Sequence, residues 1–179
     1  MDASIGGKTG VNLSGKNLVG VFWDPTRVII DLDVLEKLPS ALLQEGMAEA
    51  LKAGLIGDAD LVEAIEADGL EVSLDKVVPA AVKVKAEYVK KDPRESSERA
   101  MLNFGHTVGH AVEYASSFSH GTSVGVGMVA AAAVSEADVG FAEKERVIDA
   151  ISRIGLRTSV NVLDRTRVRD LIGVDKKRD

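Results

Sequence analysis

Four side chains able to bind oxygen atoms or move protons, Arg99, Asn103, His106 and His110, follow one another at spacings of four, three and four residues. On a helix that spacing stacks them along one face. A guanidinium grips a carboxylate or phosphate in fork geometry, and a carboxamide orients an oxygen. An imidazole binds a divalent metal or transfers a proton near neutral pH. Gly105 and Gly109 beside them would let another backbone come close, at a helix cost of about 1 kcal/mol each. All three histidines of the chain lie between His106 and His120. The row reads as the wall of a site rather than a solvated face.

Two imidazoles at i and i+4 can share a metal, or one can bind it while the other shuttles protons. The zincin pattern HExxH is excluded, because Thr107 stands where its glutamate would be. A third ligand is then needed. Glu49 is a candidate, with Lys52 projecting from the same side of its helix, and His120-Gly121 opens a helix where a loop histidine could reach the ion. One carboxylate with two imidazoles is a common catalytic zinc set that leaves a position open for substrate. Lys85 interrupts an apolar stripe of Val78, Ala81, Val82, Tyr88 and Val89. It is either a lysine snorkelling at the core edge or one facing a polar cavity.

The elements that must position these groups are mostly helical. Residues 1–17 form a glycine-rich loop, and 18–23 and 27–31 are short β-branched runs around the turn Asp24-Pro25-Thr26, which predicts two strands. Pro39-Ser40 opens a helix to about Ile56, carrying Leu43, Met47, Leu51 and Leu55 at fours. A helix follows at 58–67, stopped by Gly69, and another at 75–91, capped by Asp75 and ended by Pro93. Further helices are expected at about 97–117, with Met101, Val108, Val112 and Ala115 as its apolar stripe, and at 122–138, 142–154 and 165–172. Gly140, Gly155 and Gly173 act as stops. The composition shift near residue 33 divides the chain into a β-containing piece, 1–33, and a helical domain, 34–179.

With 22 basic and 28 acidic side chains among 179 residues, the net charge is −6, which disfavours nonspecific nucleic-acid binding. The chain has no cysteine, so disulfides, thiolate metal sites and cysteine nucleophiles are excluded. The start, MDASIGGKTG, has neither basic flank nor apolar core, and the apolar run Val124–Val134 is shorter than the ~18 residues of a membrane span. It reads as a buried helix. A cytoplasmic, non-membrane setting is the expectation.

The runs GGKTGVN (Gly6–Asn12), GKN (Gly15–Asn17), EGMAEALKAGL (Glu45–Leu55), KAEYVKKDPRESSERAMLNFGHTVGHAVE (Lys85–Glu113), HGTSVGVGM (His120–Met128) and DKK (Asp175–Lys177) resemble the 3-dehydroquinate synthase family, in order and over nearly the whole chain. The resemblance implies a mainly α, multihelical C-terminal domain with a short β/loop remnant of a nucleotide-binding domain. It also implies a shikimate-pathway lyase that converts DAHP (3-deoxy-arabino-heptulosonate 7-phosphate) to 3-dehydroquinate with NAD and a divalent ion, zinc or cobalt. By the same resemblance Glu49, His106 and His120 would hold the metal. Asp2 and Lys8 would stand where cofactor meets substrate, Lys16 and Asn17 near NAD, and Val34, Leu35, Glu36 and Lys37 against the nucleotide. Lys52, Lys85, Arg99, Asn103, His110 and Lys176 or Lys177 would hold the substrate, with Glu95 and His110 as proton acceptors and Lys8 beside the chemistry.

The family carries a larger nucleotide-binding domain ahead of this region and is expected to form a homodimer at full length, so the 179 residues alone are not expected to turn DAHP over. The nearest rival is another sugar-phosphate cyclase such as 2-deoxy-scyllo-inosose synthase. A glycerol-dehydrogenase-like metal enzyme is more distant, and the alternative from another class is a non-catalytic module that binds metal or a partner chain.

Overall fold

The computed structural model describes residues 2–11, 13, 19–160 and 165–175. Lys16, Asn17, Lys176 and Lys177 lie outside them. Among the described residues a short 3-10 turn (Asp2–Ser4) precedes eight α-helices: α1 (Leu32–Leu35), α2 (Ser40–Gly57), α3 (Ala59–Asp68), α4 (Leu74–Lys91), α5 (His106–Ala115), α6 (His120–Val139), α7 (Lys144–Arg153) and α8 (Arg165–Asp175). A further 3-10 helix (Glu98–Asn103) leads into α5.

Local signals account for most ends. Pro39, with φ −54° and ψ 141°, leads into α2. The Asp58 carboxylate accepts from the Leu61 amide at 3.0 Å and caps α3. Gly69 and Gly140, at φ 58° and 72°, close α3 and α6. α4 starts one residue before the expected Asp75: Ser73 is its N-cap, and Asp75 sits in the first turn, where its charge favours the helix dipole. Gly173 does not stop α8, which continues through it to Asp175.

Of the two expected strands, 18–23 is reduced to isolated antiparallel bridges with the glycine-rich segment, Lys8 with Phe22 and Val11 with Val19, and 27–31 forms neither strand nor bridge. Trp23 N donates to Gly7 O at 2.8 Å and Val11 N to Val19 O at 2.8 Å, so residues 7–11 and 19–23 run as an open ribbon. Val19, Val21, Trp23 and Ile29 are exposed. A lone pair of strands with no face to bury is marginal, so the β-branched runs do not grow into a sheet.

The core is aliphatic: Met47 and Leu51 of α2, Ile65 of α3, Val77 and Val84 of α4, Val124 and Met128 of α6, and Ile151 of α7 are all buried. α6 is long and apolar enough by composition to cross a membrane, yet its stretch from Ser123 to Met128 is packed inside the bundle.

The expected single helix over 97–117 is broken at Phe104-Gly105. Gly105 has φ 77°, and a Cβ there would fall 2.6–2.7 Å from Met128. A Cβ on Gly127 would overlap the Gly105 carbonyl oxygen outright. These glycines allow α5 to lie directly on α6, which brings His106 and His120 together. With the break, Met101 becomes half-exposed instead of joining the apolar stripe, whereas Val112 stays buried.

Candidate active site

Three elements meet at one point. Glu49 projects from α2, His106 is the first residue of α5 and His120 the first of α6. Glu49 Oε1 stands 3.3 Å from His106 Nε2 and 3.3 Å from His120 Nε2. Ligands about 2.0–2.1 Å from a tetrahedral zinc stand roughly 3.4 Å apart. The donor set and its spacing fit such an ion.

The remaining contacts fix these groups. Lys52 Nζ donates to Glu49 Oε2 at 2.5 Å, leaving Oε1 to the imidazoles. His106 Nδ1 lies 3.3 Å from Phe104 O, and His120 Nδ1 lies 3.0 Å from Glu113 Oε2. Burial pushes the Glu49 carboxyl up, but hydrogen bonds to His106 and His120 and the Lys52 charge together hold it well below the usual carboxylate range. It is an anion at any working pH. The hydrogen bond to Glu49 raises the His120 imidazole, against the opposing effect of burial and with further help from Glu113.

This centre opens into a cleft of about 680 Å³, which is also lined by Lys8, Lys85, Glu95, Arg99, Asn103 and His110. The polar row expected on one helical face is therefore divided, with Arg99 and Asn103 on the 3-10 helix and His106 and His110 on α5. All four still reach one cavity. Lys85, half-buried, faces it too, which resolves its place in the α4 stripe. Glu95 accepts from Asn103 Nδ2 at 3.0 Å and pairs with Lys8 across the cleft. Its backbone is left-handed at φ 59°, a strained state for a side-chain-bearing residue.

Arg99 is 1% exposed and has a structural task besides the expected one. Its guanidinium donates to Pro93 O at 2.6 Å and Gly6 O at 2.8 Å and lies over the Phe22 ring, while Nε is buried without a partner. Val34, Leu35, Glu36 and Lys37, on and just after α1, are not among the residues lining the cleft. Asp2 lies in the 3-10 turn whose neighbours Ala3 and Ile5 line it.

Three further carboxylates were not singled out from the sequence. Glu113 holds His120, and Glu45 accepts from Gly121 N at 2.5 Å and from the Ser119 hydroxyl. Asp92 accepts from the backbone amides of Ser96, Ser97 and Arg99 at 2.9, 2.7 and 3.2 Å. Glu113 at i+3 from His110 and Glu45 at i−4 from Glu49 share faces with the site, which was the available signal.

The architecture is that of the helical domain of sugar-phosphate cyclases. A 2-epi-5-epi-valiolone synthase from Streptomyces hygroscopicus, solved with NAD+ and Zn2+, superposes with TM-score 0.87 at 29% identity, covering 99% of this chain and 53% of that one. A 2-deoxy-scyllo-inosose synthase in complex with carbaglucose-6-phosphate, NAD+ and Co2+ gives 0.82 at 27%, covering 99% and 52%.

Residues 46–178 match the family described as 3-dehydroquinate synthase C-terminal, and residues 1–45 match 3-dehydroquinate synthase N-terminal; the chain belongs to the 3-dehydroquinate synthase family. The 3-dehydroquinate synthase of Corynebacterium jeikeium is 43% identical over 99% of this chain and 51% of its own length. That of Thermodesulfovibrio yellowstonii is 39% identical over 99% and 53%. The chain spans about half the length of the curated relatives it matches.

Proposed function

We propose that this chain is the metal- and substrate-binding part of a 3-dehydroquinate synthase, a cytoplasmic lyase that converts DAHP to 3-dehydroquinate and phosphate and is a homodimer at full length. Residues 1–33 would belong with its nucleotide-binding domain and 34–179 form the helical domain. The observation that carries the reading is the convergence of Glu49, His106 and His120, with Glu49 Oε1 at tetrahedral ligand spacing from both imidazoles, inside a cleft lined by cationic and proton-transferring groups. When bound, zinc or cobalt at these three residues would polarise a substrate oxygen, and NAD would accept a hydride and return it.

The chain's own residues then divide the remaining work. Lys8, Lys52, Lys85 and Arg99 suit the phosphate and carboxylate of an anionic substrate, and Asn103 orients an oxygen. Once the substrate carries a ketone, the adjacent C–H becomes acidic. His110 or Glu95 can take that proton within the cleft while the C–O bond to phosphate breaks. Asp2, Lys16, Asn17 and Val34–Lys37 are proposed to contact NAD, and Lys176 or Lys177 the substrate.

A sugar-phosphate cyclase acting on a hexose phosphate is the second reading, favoured by the solved neighbour that holds carbaglucose-6-phosphate. The test is phosphate release by this chain together with the rest of such an enzyme, using DAHP and glucose 6-phosphate in parallel. Release from DAHP that depends on NAD and a divalent ion is expected. Release from glucose 6-phosphate alone would overturn the proposal in favour of the second reading.

A further inference from the structure

We infer that Glu113 is a positioning residue for the metal centre: it holds His120 by Nδ1 so that Nε2 is presented to the ion. This rests on the metal reading above. Both histidines turn Nε2 toward Glu49 Oε1, and each is steadied on its Nδ1 side by an oxygen. The two supports differ. His106, with a 13% exposed side chain, is enclosed by packing and meets a backbone carbonyl. His120, 40% exposed at the first position of α6, is less enclosed and meets a carboxylate instead.

Glu45 fixes the backbone of this ligand through the Gly121 amide and the Ser119 hydroxyl. Those bonds set where His120 begins but leave its ring free to turn about χ1 and χ2. The Glu113 hydrogen bond removes that freedom. An anionic acceptor on Nδ1–H also selects the tautomer with a lone pair on Nε2 and makes that nitrogen a stronger donor. Glu113 is on the same helix as His106, one turn past His110, so α5 supplies one ligand directly and orients another on α6.

His110, Glu113 and His120 also cluster closely enough to hold a cation of their own. Such an ion would need the Nδ1 lone pair of His120 and would compete with the hydrogen bond to Glu113. The stoichiometry of binding separates the two arrangements.

The experiment is a competitive zinc titration of the 179-residue chain and its Glu113→Gln and Glu113→Ala variants. Glu87→Gln, which removes an exposed carboxylate on α4, controls for net charge, and Co2+ absorption reports ligand geometry. One zinc per chain is expected, with affinity lowered about 10–100-fold by Glu113→Ala and less by Glu113→Gln, whose amide oxygen still accepts. Glu87→Gln should bind as the parent does. The metal-free melting temperature should hold in all variants, because Glu113 is part-exposed, and the Co2+ bands of Glu113→Ala should move.

Unchanged affinity and spectrum in Glu113→Ala would overturn the inference while leaving the metal reading intact. A second zinc equivalent that disappears with Glu113 would make it a ligand and overturn the inference too. No zinc binding by the parent chain would overturn both.

Discussion

Lys52 donates its ammonium proton to Glu49 Oε2 at 2.5 Å from one turn further along α2, and the two side chains are only 6% and 14% exposed. An enclosed cation beside a metal ligand compensates the carboxylate before the ion arrives. Removing one partner of a buried pair costs about 3–5 kcal/mol, because the other is left uncompensated. Lys52→Met should therefore lower the metal-free stability by about 3 kcal/mol, and zinc should restore more stability to the variant than to the parent. Chemical denaturation with and without zinc checks this. A metal-free variant as stable as the parent would sink it.

His106→Ala and His120→Ala should each remove most zinc affinity, since two remaining ligands hold the ion poorly. His120 is raised by Glu49 and Glu113, so its protonated form competes with metal as pH falls. Affinity should be highest above the imidazole range and decline between about pH 8 and pH 6, with protons released on binding. Metal analysis and titration across that range test both points. Full stoichiometry in both alanine variants would disprove the ligand assignment.

Some of this site was legible in the residues and some was not, for physical reasons. The limits of α2 and α3 were readable because Pro39, Asp58 and Gly69 act locally. Lys85 declared itself as a break in an apolar stripe, and the histidine cluster declared itself by spacing. The break before α5 was not readable, because the left-handed Gly105 answers to Met128 and Gly127 of α6, far along the chain. Glu113 and Glu45 share helix faces with the site, but each acquires its role only when α6 docks. The β-branched runs at 18–23 and 27–31 carried strand propensity, but propensity does not make a sheet without a face to bury.

Two helical glycines, one in the α5–α6 contact and one on the open face of α2, should respond in opposite ways to an added methyl group. Gly127→Ala would place a methyl group in the Gly105 carbonyl, and overpacking of this kind costs about 1–3 kcal/mol or more. Zinc affinity should fall with stability, because the same contact sets the distance between His106 and His120. Gly46 lies exposed within α2 with nothing near its absent Cβ, so Gly46→Ala should stabilise by roughly 0.5–1 kcal/mol. Thermal melting of both variants decides. Equal effects would mean that helix propensity, and not the crossing, controls the α5–α6 pair.

Asp92 predicts an acid dependence. The Ser96 amide above all holds its carboxyl well below the ordinary value, aided by the Ser97 and Arg99 amides and the Ser96 hydroxyl and opposed by burial. A depressed folded pKa adds stability that is present above the unfolded value of about 3.9 and is lost as pH falls below it. In Asp92→Asn an amide NH2 must face at least one of these donors. The variant should melt lower at neutral pH, and the gap should shrink as pH falls toward 3. Parallel melting curves across pH 7 to 3 would show that Asp92 does not titrate with folding.

Arg99 ties the two ends of the site together. Its guanidinium reaches Gly6 O in the N-terminal segment and Pro93 O in the loop after α4, and it lies 5.7 Å from the Phe22 ring centroid. Lysine carries one compact ammonium and cannot span two carbonyls in fork geometry. Hydrogen bonds from charged donors contribute about 1.5–3 kcal/mol each, so Arg99→Lys weakens one of the ties, beside the Lys8–Glu95 pair, that hold residues 5–11 and 19–23 against the helices. The core of α2, α4 and α6 does not depend on these bonds. Amide exchange should therefore quicken at Thr9, Val11, Val21 and Trp23, whose N–H groups donate within the ribbon, while amides in the middle of α2 and α6 keep their protection. Zinc affinity should stay near the parent value, because Arg99 touches none of the three ligands, and the hold on an anionic substrate should weaken. Uniformly faster exchange throughout the helices would make Arg99 a general support of the fold, and unchanged exchange at residues 7–11 would show that the ribbon is held by other contacts.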